Sequence, residues 1–196
     1  MKNQEIKNVC VYCGSSFHVK QSYKDQATAL GQTLGENGYD VVYGGGNVGL
    51  MGLVSNAAFD NGADVIGIIP DHLQKHETAN ENLTELHVVE TMHERKQMMV
   101  DRADAFIIMP GGLGTMDEFF EIFTWWQLGL HDKPIIVMNI DGYWDALLTL
   151  LHNIADNGFC SKSDVEHIIV IDKVDQIIQT LKTAPVEKND PKTKWI

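Results

Sequence analysis

Guanidinium groups are almost missing from this sequence: its 196 residues hold two arginines, Arg95 and Arg102. Lysine and arginine together number 15 against 27 aspartates and glutamates, a net charge of −12. That balance disfavours unspecific binding to nucleic acid or to an anionic membrane. No apolar run approaches the ~20 residues that a membrane helix requires. The opening Met1-Lys2-Asn3-Gln4-Glu5 has no apolar stretch of the kind a secretory signal carries, so a cytoplasmic setting is expected. Cysteine is scarce, at Cys10, Cys13 and Cys160. Cys10 and Cys13 have redox spacing but fall in a strand, where residues three apart point to opposite faces. Buried, reduced thiols are expected. The eight histidines include no HExxH pair, and no metal or cofactor is expected. Repeats, low-complexity tracts and linkers are all missing.

Glycine, by contrast, is plentiful. The string Pro110-Gly111-Gly112-Leu113-Gly114-Thr115-Met116-Asp117-Glu118 follows a short apolar run, Ala105 to Met109. It precedes an aromatic-rich stretch, Phe119 to Leu130, whose apolar residues recur at helical spacing. A glycine loop entering a helix presents N–H groups without intrahelical partners at the positive end of the helix dipole. Such a terminus binds phosphate, and glycine lets the anion come close to the backbone. Glu118, one turn beyond Thr115, is not something a plain phosphate loop requires. Its bland explanation is a carboxylate favoured at a helix start. Its chemical explanation is a reaction that builds positive charge beside a bound phosphoester. Asp117, its neighbour, points elsewhere on the helix and is given a supporting role. Arg95 has the planar fork suited to phosphate or a base edge, whereas Arg102 reads as an ordinary surface charge.

Strand and helix alternate along the chain. Strands are predicted at Asn8–Tyr12, Tyr39–Tyr43, Ala63–Ile69 (ended by Pro70), Glu85–Val89, 105–109, Pro134–Met138 and His167–Ile171. Helices are predicted over about 20–37, up to about 61, 92–101, along the aromatic stretch, over 143–156 and over 175–181. Asp71 to Asn82 reads as a polar loop. Continuously apolar strands alternating with helices indicate a single-domain, Rossmann-like doubly wound parallel sheet with helices on both faces. This domain is expected over residues 1–184, with a charged, frayed tail over 185–196. Ligands of such sheets bind beyond the strand carboxyl ends. Residues 14–16, 44–49 and 111–115 should therefore converge on one crevice. Gly44-x-Gly46-x-x-Gly49 formally matches a dinucleotide fingerprint but follows the second strand, and it reads as part of a mononucleotide site.

The nine-residue string resembles the PGGxGTxxE signature of the LONELY GUY family of cytokinin-activating phosphoribohydrolases, often mislabelled lysine decarboxylases. Met92-His93-Glu94-Arg95-Lys96 resembles the family's MxxRK segment. The likeness continues through Cys13-Gly14-Ser15-Ser16 and Gly44-Gly45-Gly46 to Gly49-Leu50-Met51-Gly52, spanning roughly residues 8 to 182. The resemblance implies catalysis by Glu118 with Arg95. It implies a substrate site that takes in Gly45 and Gly46, Met92 and Lys96, and Gly111, Gly112, Leu113, Gly114, Thr115, Met116 and Asp117. Glu77, in the polar loop, and Thr124, on the signature helix, match substrate-contacting positions of relatives. Ser15 is either a ligand to phosphate or ribose or a simple turn serine. A homodimer is implied by the resemblance alone, and of Trp125-Trp126 one ring should face the core and the other a partner subunit.

The expected reaction is hydrolysis of the N-glycosidic bond of a purine nucleoside 5′-monophosphate, releasing free base and ribose 5-phosphate. The alternative is a nucleotide-sensing or cofactor-carrier module on the same fold, which needs the glycines but not Glu118 and Arg95. An NAD-linked oxidoreductase is a more distant reading.

Overall fold

Because the inner strands are apolar on both sides, they must be covered on both sides, and the chain does this by returning through a helix after nearly every strand. The computed structural model describes residues 6–74, 80, 82–186 and 189. Its strands are β1 Asn8–Tyr12, β2 Asp40–Tyr43, β3 Val65–Pro70, β4 Glu85–Val89, β5 Ala105–Ile108, β6 Ile135–Met138 and β7 Ile169–Ile171. They form one parallel sheet in the order β4-β3-β2-β1-β5-β6-β7. The chain winds outward from β1 to β4, then returns to lay β5 against the free side of β1. This is the predicted doubly wound fold.

The helices are α1 Gln21–Glu36, α2 Gly49–Asp60, α3 Asp71–Gln74, α4 Met92–Arg102, α5 Leu113–Gln127, α6 Asp145–Asp156, α7 Lys162–Glu166 and α8 Ile177–Thr183. On one face α1, α2 and α8 bury Leu30, Val54 and Ile177 against Val9, Val41 and Ile107. On the other, α4, α5 and α6 bury Met99, Phe119 and Leu151 against Cys10, Phe106 and Val137. Cys10 and Cys13 fall in these two opposite cores, both buried and free, as the strand reading requires. Trp126 is buried while Trp125 is half-buried. Arg102 stays at the surface, 3.2 Å from Glu85.

The structure corrects several boundaries. The signature helix starts at Leu113, inside the glycine string, since glycine and threonine carry no apolar periodicity to reveal a first turn. Pro70 belongs to β3 as its last residue, where a missing N–H costs little. The polar loop opens with the short helix α3. His167 caps α7, a helix announced by the Ser161–Asp164 capping box, instead of starting the last strand. Tyr143 and Trp144 precede α6, after a 3₁₀ turn at Ile140–Gly142. Most of the tail expected to fray, 187–188 and 190–196, lies outside the described residues.

Candidate active site

The loops after β1, β2 and β5 meet where the strand order reverses, and their backbones are stitched together. Gly14 N–H donates to Pro110 O at 3.0 Å, and Leu50 N–H donates to Gly14 O at 2.9 Å. Gly49, at φ 63°, lies so close to the first loop that a Cβ there would sit 2.3 Å from the Ser15 carbonyl carbon. Between the loops lies a cleft of about 350 Å³. Of the expected site residues, Ser15, Met92, Arg95, Gly112, Leu113, Gly114, Thr115 and Glu118 line it.

The others lie elsewhere. Gly45 packs on Ile68 and Ile69 of β3, and Gly46 is buried beside it; within that run it is Gly44 that borders the cleft. Gly111 sits behind the wall, pressed against the Thr115 side chain. Met116 packs into the core beneath α5, whereas Asp117 is exposed. Lys96 holds Asp117 at 3.1 Å and Glu121 at 3.0 Å, outside the cleft lining. Thr124 is exposed farther along α5, and Glu77 lies outside the described residues. Gly14 and Gly44 fall in the runs expected to converge here, but reading the sequence alone misses Val11, Tyr12, Cys13, Met51 and Leu73 as lining residues. Cys13 and Met51 lie within motifs already noted, and Val11 and Tyr12 end the first strand. Leu73, an apolar residue in a polar loop, has no motif to mark it.

Arg95 owes its place to the start of α4. The Thr91 side chain accepts from Glu94 N–H while Glu94 reaches back to Thr91 N–H, a capping box that fixes the first turn. From the next position the guanidinium runs inward, buried, donating to Ile68 O at 3.2 Å and Gly44 O at 3.4 Å. A Cβ on Gly44 would stand 2.0 Å from its Nη2, so any larger residue there would displace the guanidinium. The same Nη2 lies 3.8 Å from Glu118 Oε1.

That separation is too long for the bidentate pairing that holds a carboxylate well ionised. Burial therefore prevails. It pushes the Glu118 carboxyl up to about 7, with Arg95 opposing and Asp117 adding to the rise. The group stands divided between acid and base near neutral pH. Thr115 is buried one turn before it, and among the described residues no side chain caps the N-terminus of α5. The cleft thus combines an anion-binding helix end, a cation and a carboxyl of raised pKa. Burial also raises the thiol of Cys13, which keeps it protonated and inert as a nucleophile.

Comparison with known proteins bears on the family and the fold. The family model described as "Possible lysine decarboxylase" matches residues 51–181. The chain is 43% identical to the cytokinin riboside 5′-monophosphate phosphoribohydrolase LOG3 of Arabidopsis thaliana, over 93% of this chain and 85% of that one. It is 47% identical to LOG1 of the same plant, over 85% and 78%, and 46% identical to LOG of Oryza sativa subsp. japonica, over 86% and 69%. Among solved structures, the molybdenum cofactor binding protein from Rippkaea orientalis superposes with a TM-score of 0.71 at 22% identity, covering 92% of this chain and 98% of that one. The molybdenum cofactor carrier protein from Chlamydomonas reinhardtii gives 0.70 at 16%, over 91% and 98%. These two likenesses speak to the fold alone. By identity along nearly its whole length, by the matched model and by its ordered motifs, the chain belongs to the LONELY GUY family.

Proposed function

We propose that the protein is a 5′-phosphoribohydrolase that cleaves the N-glycosidic bond of a purine nucleoside 5′-monophosphate. One observation carries the reading: a buried carboxyl of raised pKa, Glu118, shares a cleft with Arg95 and with the uncapped N-terminus of α5. The phosphate docks on the N–H groups of that terminus, helped by Thr115. This fixes the ribose one helical turn farther on, beside Glu118. As the bond from C1′ to the base nitrogen breaks, the base leaves with the electron pair and the sugar gains oxocarbenium character. An ionised Glu118 stabilises that charge and takes a proton from the water that adds to C1′. Arg95 offsets the negative charge gathering on the departing base, which takes up, by way of solvent, the proton that Glu118 removed from the water. The products are free base and ribose 5-phosphate.

The relatives, cytokinin riboside 5′-monophosphate phosphoribohydrolases, support the same reaction class. A pyridoxal-dependent decarboxylase would need a Schiff-base lysine in its site, and among the described residues that line the cleft there is no lysine. The working form in this reading is a cytoplasmic homodimer. Support for the dimer comes from half-buried Trp125 near the end of α5 and 66% exposed Leu130 just beyond it, which share a groove beside α4.

The test is to incubate the pure protein with AMP and with N6-isopentenyl-AMP and follow free base by chromatography. Release of base from either is the expected result. Binding without release from both would overturn the hydrolase and favour the carrier.

A further inference from the structure

Far along the chain, Tyr143 reaches back to the glycine loop. It directly follows the turn Ile140–Gly142, where Asp141 has φ 53° and Gly142 φ 70°. Ser22 of α1 steadies that turn by donating to Asp141 Oδ2 at 2.7 Å. The Tyr143 ring is bracketed edge-on by Tyr23, with centroids 5.5 Å apart, and by Trp144, at 4.7 Å. So held, its hydroxyl donates to the carbonyl oxygen of Gly111 at 2.5 Å.

This bond completes a pattern. Three consecutive carbonyls of the loop are engaged: Pro110 by Gly14 N–H, Gly111 by the Tyr143 hydroxyl, and Gly112 by Met116 N–H. The peptide between Gly111 and Gly112 is trans, so its C=O and N–H point in opposite directions. Turning the Gly111 carbonyl to Tyr143 turns the Gly112 N–H the other way. Gly112 lines the cleft, whereas Gly111 does not. With no Cβ on either glycine this peptide would otherwise rotate readily.

We propose that Tyr143 is a positioning residue for a phosphate subsite: by holding the Gly111 carbonyl outward it aims the Gly112 N–H into the cleft as an anion donor. The proposal rests on the reading that a phosphoester docks at the N-terminus of α5. It adds to the first-turn N–H groups of the helix one donor that the helix itself does not orient.

The test uses Tyr143→Phe in the full chain, which removes the hydroxyl and keeps the ring, and reads four quantities against the wild type. The KM for AMP and the inhibition constant of ribose 5-phosphate should both rise about fivefold, the worth of one neutral hydrogen bond. The kcat should change less than KM, and inhibition by free adenine should not change. An unaltered ribose 5-phosphate constant, or a fall in kcat with KM constant, would overturn the role. A wild-type protein that ribose 5-phosphate does not inhibit would remove the subsite itself. That failure belongs to the functional reading and is visible before any variant is made.

Discussion

Glu118 keeps 8% of its surface exposed, and Arg95 stands 3.8 Å from it. Between them these two facts set the chemistry available near neutral pH. Replacing Glu118 by Gln should leave nucleotide binding in place and lower kcat by at least about 100-fold, measured as base release under saturating AMP. In the wild type kcat/KM should climb through an apparent pKa near 7 as Glu118 ionises, since the base must be charged. Stability runs the other way. The folded pKa, about 7, lies above the ordinary 4.5. Protonated Glu118 therefore favours the fold below 4.5, and that advantage is lost as pH rises to about 7. Urea midpoints at pH 5 and pH 8 should show the native chain losing roughly 2–3 kcal/mol that Glu118→Gln does not lose. Arg95→Ala should reduce kcat/KM by about 10- to 100-fold, because a charged donor to the substrate is lost. An unchanged value would remove Arg95 from the site.

At the scale of elements, the cleft depends on one helix start. A methyl on Gly111 would stand 2.1 Å from Thr115 Oγ1, so Gly111→Ala must displace the first turn of α5. The expected result is a loss of about 1–3 kcal/mol in thermal unfolding together with weakened ribose 5-phosphate inhibition. The sequence places Glu118 one turn into that helix beyond Thr115, and the structure starts the helix two residues earlier, at Leu113. Strands such as β1 and β5 were legible because continuous burial leaves a continuous apolar run. Arg95 and Glu118 were legible because their motifs place them at strand and helix ends. Leu73 and Tyr143 were not. Each reaches the site through tertiary packing, Tyr143 from 32 residues beyond the carbonyl it holds.

For the whole molecule, half-buried Trp125 near the end of α5 and exposed Leu130 just beyond it predict self-association. Sedimentation should return twice the 21.9 kDa of one chain, and a monomer at micromolar concentration would remove the proposed dimer. The acidic surface predicts no retention of duplex DNA at physiological salt. The strand order has a different kind of consequence. Val9 of β1 pairs with Ala105 of β5, its partner 96 residues later in the chain. On a ribosome adding about 5–20 residues per second, β1 waits roughly 5–20 seconds for that partner. Through that interval an apolar strand destined for the middle of the sheet is an open margin, able to recruit a neighbouring nascent copy. The loop after β5 also stays apart from the other two until then. Birth of the protein therefore passes from a partial cleft to a whole site in one docking event, and a chain interrupted before β5 is both inactive and sticky.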